Sequence, residues 1–263
     1  MFLINGFNYG IEFTGGTLIQ IDAGKFISAE DVGPITDEFD ENMSVVHGGE
    51  DKHQLILRST KDLSNTQINK IADDFIENHE IDRKNFSAEK VGASMGAELR
   101  NKALLSIVIA TVAMLIYISV RFEFKFGLAA IIALIHDVLV TLSFFTIFNL
   151  PVEGSFIAAI LTIVGYSIND TIVIFDRIRE ELKTNPRENI ENIINNGISH
   201  SMRRTISTTI TTVLAVTVLY LVGVEAIRIL ALPLLIGMLT GTYSSIFIAS
   251  PVWYSLRGIK TAK

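Results

Sequence analysis

The spacing of apolar residues divides the chain into two halves. Up to about residue 100 the apolar positions are short, alternating or helically spaced. Beyond it come five long apolar runs, 104–120, 128–148, 156–175, 206–222 and 229–253. About 20 residues at 1.5 Å rise cross a bilayer core, so each run is read as a membrane-spanning helix. In the first half, TGGTLIQID (14–22) alternates after a Gly-Gly turn and predicts a strand. Ser28 heads the helical pattern SAEDVGPITDEF, with acids in its first turn where the helix dipole favours them and Pro34 weakening its middle. Met43–His47 and His53–Arg58 read as two strands around the hairpin signal Gly48-Gly49-Glu50-Asp51. Ser64 caps a second helix with Ile68, Ile71, Phe75 and Ile76 on one face, and Phe86–Val91 is a last strand. The order β-α-β-β-α-β predicts a ferredoxin-like α+β head over 11–100, one sheet covered by two helices. Such a head can bind a partner or act as a spacer, and fold alone does not choose. His47, His53 and His79 lack metal-ligand spacing and read as surface residues.

Composition agrees with a polytopic α-helical membrane protein carrying this head: mean hydropathy is +0.42 with 19% charged residues. Zero cysteine excludes disulfide staples and thiol chemistry. Residues 1–100 hold 18 Asp/Glu against 9 Lys/Arg, a net of −9, whereas the rest holds 10 against 13, a net of +3. An acidic head on a mildly basic apolar body does not suggest nucleic-acid binding. The basic residues also orient the chain. Arg121 and Lys125 lie in one connection, Arg177, Arg179, Lys183, Arg187, Arg203 and Arg204 in the 176–204 loop, and Arg257, Lys260 and Lys263 in the 257–263 tail. The opposite connections, 149–155 and 223–228, offer only Arg228, beside Glu225. Positive-inside reasoning places the first three segments in the cytoplasm and the head outside. Met1–Gly10 has no basic n-region and reads as the end of a helix whose beginning is missing; with it the spans number six. Residues 186–195 predict a short amphipathic helix starting at Pro186 and lying on the membrane surface, with a plain soluble loop helix as the alternative.

Within the spans a few polar residues carry the chemistry. Asn169–Asp170 interrupts the third run, and Asp170 lies roughly 9 Å inside its end on a rise of about 1.5 Å per residue. A buried membrane aspartate costs on the order of 2.5–3.5 kcal/mol and mostly marks an ion or proton path; a stray acid satisfied by neighbouring hydroxyls is the bland reading. Ser167 shares its helix face. Thr205, Thr208, Thr209 and Thr212 form a hydroxyl stripe on the fourth span, and Gly237, Thr240, Gly241 and Ser244 a small-residue stripe on the fifth. Gly237-xxx-Gly241 lets helices approach closely, so the three helices are expected to pack around the acid. Arg204 lies at a similar depth and is expected to bend inward as counter-charge. His136–Asp137 in the second span sits about mid-bilayer, either a proton relay or a pair that locks helix packing. Neither a P-loop nor a Ser/His/Asp set is evident, so an enzyme is not expected.

VGYSINDTIVIFDRIRE (164–180) resembles the signature of the SecF branch of the SecD/SecF family of bacterial protein-export proteins. NYGIEFTGGT (8–17), VGASMGAELR (91–100), ALIHDVLVT (133–141), MRRTISTTITT (202–212) and LLIGMLTGTYSSIFIASPVW (234–253) are similar in order and spacing, over nearly the whole chain. The family usually has Asp where this chain has Glu12, a position the residues alone leave unassigned. The resemblance implies six spans in the full member and pairing with SecD in an assembly of the resistance-nodulation-division type. It further implies partnership with the SecYEG channel and YajC/YidC, preprotein contact through the head, and the bacterial inner membrane as location. No cofactor is implied beyond protons as coupling ion, and the proton-carrying acid and intramembrane arginine fall on Asp170 and Arg204. The expected function is use of the proton-motive force for late-stage protein export. A proton-coupled solute or drug exporter of the same superfamily, and a scaffold that only stabilises the channel, are the rivals.

Overall fold

The structure is a computed structural model and describes residues 8–48 and 52–258. Met1–Phe7, the 49–51 part of the expected hairpin turn and the 259–263 tail with Lys260 and Lys263 lie outside the described residues. A single helical turn, α1 (Ile11–Thr14), leads into β1 (Gly16–Asp22), α2 (Ala29–Thr36), β2 (Ser44–Gly48), β3 (Gln54–Ser59), α3 (Asn65–His79) and β4 (Phe86–Val91). The sheet order is β2-β3-β1-β4, antiparallel throughout, which is the split arrangement expected of a ferredoxin-like head. Ile19 and Ile21 of β1 and Leu55 and Leu57 of β3 alternate onto one buried face, against Val32 of α2 and Ile71 and Phe75 of α3. Local chemistry sets the helix starts. Ser28 accepts from the Asp31 amide, and Ser64 forms a reciprocal capping box with Gln67. His47 is less free than its spacing suggested: Nε2 lies 2.6 Å from the Ile27 carbonyl and the ring stacks on Phe26.

β4 passes almost directly into α4 (Ala93–Arg121), followed by α5 (Phe124–Ile147), α6 (Gly154–Thr184), α7 (Ile190–Val222) and α8 (Glu225–Ser244). A π-helical segment, Ser245–Ala249, then joins α8 to α9 (Ser250–Gly258), so that 227–258 forms the fifth apolar span. Among the described residues five helices are thus long and apolar enough to cross a membrane, and this is a multi-pass membrane protein. The helices run past the apolar windows because their ends carry charged, helix-compatible residues such as Glu98, Lys102 and Arg177.

Two expectations change here. Residues 8–10, read as the end of a helix, are not helical, and Tyr9 bridges Val152 in parallel. The helix expected at 186–195 does not start at Pro186 or stand alone. It begins at Ile190, capped by Asn189, and continues unbroken to Val222. Its apolar face packs on protein: Ile193 and Ile194 are buried, and a Cβ at Gly197 would lie 2.7 Å from Ile178 Cγ1 of α6. That close approach draws the segment onto α6 instead of a lipid surface.

Candidate functional site: two buried carboxyls on one helix pair

α6 has no proline and presents Ile163, Ser167, Asp170, Thr171 and Ile174 along one buried face. α8 reaches that face through its glycines. A Cβ on Gly237 would sit 2.2 Å from Ile163 Cδ1, and one on Gly241 2.9 Å from Ser167 Cβ. Small residues here let two backbones meet and bring their polar groups together, as the Gly-xxx-Gly spacing anticipated.

Asp137 of α5 is fully buried where α5, α6 and α8 converge. Its Oδ2 accepts hydrogen bonds from Ser167 Oγ at 2.6 Å and Ser244 Oγ at 2.8 Å, and Oδ1 lies 3.1 Å from Nδ1 of half-buried His136. Behind it, Thr171 and Ser245 share a hydrogen bond of 2.8 Å, and Ser245 Oγ donates to the Ser167 carbonyl at 3.2 Å. Ser244 and Ser245 are consecutive, yet both point at this junction at the start of the π-helical segment. An extra residue per turn rotates the helix phase, which is a reason such segments collect at functional sites. Sequence reasoning grouped Ser167 with Asp170; the structure gives it to Asp137.

Asp170 is also buried but faces α7 and the last turn of α8. Its Oδ2 accepts a long hydrogen bond from Thr242 Oγ1 at 3.4 Å, and the Thr209 hydroxyl of α7 also acts on the carboxyl. Thr242 in turn lies 2.7 Å from Thr209 Oγ1 of α7. The chain Thr209–Thr242–Asp170 therefore crosses three helices. Thr242, Thr171 and Ser245 were missed from the sequence. Thr171 stands at i+4 from Ser167, a spacing that could have flagged it.

Other expected participants sit elsewhere. Arg204 is exposed and makes no ion pair with Asp170 among the described residues, although its charge acts on that carboxyl from a distance. Asn169 is exposed too, one residue off the buried face. The threonine stripe splits: Thr205 and Thr209 are buried, Thr208 is exposed and Thr212 half-buried. Thr208, Thr209 and Thr212 all donate back to α7 carbonyls, while Thr205 Oγ1 has no partner among the described residues.

The fold and site define a class: a polytopic membrane protein with a ferredoxin-like head and two carboxyls buried between closely packed spans. Residues 71–258 match the family described as "Protein export membrane protein SecD/SecF, C-terminal", and residues 1–25 match the SecD/SecF GG motif. The chain is 37% identical to the protein translocase subunit SecF of Calditerrivibrio nitroreducens, aligning over 99% of this chain and 88% of that protein. It is 36% identical to SecF of Helicobacter pylori strain 26695, over 96% of this chain and 79% of that one. The Bacillus subtilis protein translocase subunit SecDF matches at 34% identity over 99% of this chain and 36% of its own length. The crystal structure of SecDF from Thermus thermophilus superposes with a TM-score of 0.85 at 30% identity, covering 98% of this chain and 35% of that one. The chain belongs to the SecD/SecF family of protein-export membrane proteins. Its relatives are named for transport, not for catalysis or drug efflux.

Proposed function

We propose that this chain is a translocase subunit that uses the proton-motive force in protein export, with Asp170 as the group that gains and loses the proton. The supporting observation is the way Asp170 is held: buried between three helices, beside two threonine hydroxyls that have other options, the Thr242 bond being a long one. Thr242 carries a single hydroxyl proton and lies 3.4 Å from Asp170 Oδ2, 3.0 Å from the Met238 carbonyl and 2.7 Å from Thr209 Oγ1. When Asp170 is charged, Thr242 donates to it. When Asp170 is protonated, the carboxyl donates to Thr242, whose own proton returns to the Met238 carbonyl. Both protonation states find a partner in this geometry. The charged form recruits Arg204 by a change in α7, and the neutral form releases it.

A potential of 100 mV supplies roughly 2.3 kcal/mol per proton, enough to bias a two-state helix arrangement. The head is read as extracytoplasmic and the 257–263 tail as cytoplasmic from the distribution of Arg and Lys. The fused Bacillus relative supports a SecD-type partner, and the head is the surface offered to an emerging polypeptide. SecYEG and YajC/YidC remain partners by expectation. The test is preprotein export into vesicles carrying the channel, the partner subunit and this chain. Asp170→Asn is expected to abolish the gradient-dependent share while the complex still assembles. Full gradient-dependent export by that variant would refute the proposal.

A further inference from the structure

The head is fastened to the start of α6, and the fastening explains Glu12. Gly10 donates its amide to the Val152 carbonyl at 2.9 Å, the Val152 amide donates to the Asn8 carbonyl at 2.8 Å, and Asn8 Nδ2 donates to the Asn149 carbonyl at 3.0 Å. Two acids then complete the joint. Glu153, the residue preceding α6, does not cap its own helix; its carboxylate pairs with Arg58 on β3 of the head. Glu12, from the turn that opens the head, accepts the Gly154 amide at 2.5 Å. The first free amide of α6 is therefore capped by the head, where a carboxylate also complements the helix dipole. The two elements exchange acids: the helix gives Glu153 to the head, and the head gives Glu12 to the helix. Gly154 leaves room for this contact, because a Cβ there would fall 2.3 Å from Glu12 Oε2 and the carboxylate would have to move away. Asp170 lies sixteen residues further along the same proline-free helix, about 24 Å at 1.5 Å per residue.

We infer that Glu12, Arg58 and Glu153 are positioning residues that transmit displacement of α6 into the head, so that a change at Asp170 moves a surface on the far end of its helix. The inference rests on Asp170 as the driven group. Its joint can nevertheless be tested without that reading. Four of its contacts are backbone or charge-assisted hydrogen bonds at a helix end, a rigid coupling, whereas a flexible tether would let the helix move beneath a stationary head.

The absence of cysteine allows spin labels to be placed at will, here at exposed Ser87 on β4 and exposed Val222 at the outer end of α7. The full chain is reconstituted with its partner subunit, and the label–label distance is measured with and without a proton gradient. The distance is expected to shift on energisation. Glu12→Gln and Gly154→Ala are expected to lose that shift while proton uptake continues, and Glu12→Asp to keep most of it. Gly154→Ala is the sharper variant, because alanine favours helix and a purely structural role would leave it harmless. Amide exchange at position 154 should rise by on the order of tenfold in Glu12→Gln, a readout that does not involve Asp170. An unchanged exchange rate, a shift of wild-type size in both variants, or a head that never moves in the wild type would overturn the inference. Loss of both the shift and proton uptake in Glu12→Gln would also overturn it, since Glu12 would then act on the fold of α6 and not on transmission.

Discussion

Asp137 and Asp170 are buried to the same degree on adjoining helices, and both face α8, but their surroundings differ. Asp137 accepts two short bonds from serines on two other helices and has a histidine beside its second oxygen. Asp170 receives one long bond from a threonine that has other acceptors within reach. A buried polar group with all its partners in place fixes one arrangement of the helices around it. A carboxyl held by a long bond from a hydroxyl with other acceptors can exchange partners when its charge changes. Under the proposed function the moving task falls to Asp170 and the structural task to Asp137, the packing-lock side of the two roles that the sequence left open for His136–Asp137.

The largest effect that would separate the two sites is on export. Asp170→Asn should remove all gradient-dependent transport and leave the melting temperature of the purified chain almost unchanged. Asp137→Ala should do the reverse. It strands the hydroxyls of Ser167 and Ser244 and opens a cavity, a loss of about 2–3 kcal/mol, and export should fall only as far as folded protein is lost. A melting curve and an export assay on both variants check this, and equal stability losses would erase the distinction. Next comes Gly237→Val, which forces a side chain into the space of Ile163 and should cost about 1–3 kcal/mol in thermal unfolding, loosening both sites at once.

A smaller effect separates the threonines. Thr209→Val breaks the link to Thr242 and should slow gradient-driven export several-fold, with a stability cost of about 0.6–1.7 kcal/mol. Thr208→Val, on the exposed face, should be near neutral in both assays. The smallest effect uses a carboxyl in the head. Burial pushes Asp40 up, but the Ser59 hydroxyl, the Asn42 amide and Lys61 together hold it below its ordinary value of 3.8. Its contribution is therefore present above about pH 4 and lost as pH falls through the lower folded value. Amide exchange of β3 should rise between pH 5 and pH 3 by the equivalent of less than about 1 kcal/mol, and Asp40→Asn should flatten that rise.

Which parts were legible from sequence follows from the range of the interactions. The head was readable because period-2 alternation in β1 and β3 and the caps at Ser28 and Ser64 are local signals. The apolar runs were readable for the same reason, and Gly237-xxx-Gly241 named the face by which α8 meets α6. Partner choice inside the bundle was not readable. Ser167 lies within one helical turn of Asp170, and only the packing of α5 shows that it serves Asp137. The exposure of Arg204 was not readable either, because helical periodicity carries no information on a long side chain's rotamer. The π-helical turn that brings Ser244 and Ser245 to one junction leaves no spacing pattern to detect. Continuity of 190–222 was not readable, because the contact of Gly197 with Ile178 of α6 is a tertiary one.

The most direct test is the carboxyl itself. Infrared difference spectra of the reconstituted chain and its partner, recorded as a proton gradient is imposed, report a protonated carboxyl by its C=O stretch. The account predicts a band that appears on energisation, persists in a folded Asp137→Asn variant and vanishes in Asp170→Asn. A band that survives in Asp170→Asn and is lost in Asp137→Asn would contradict it.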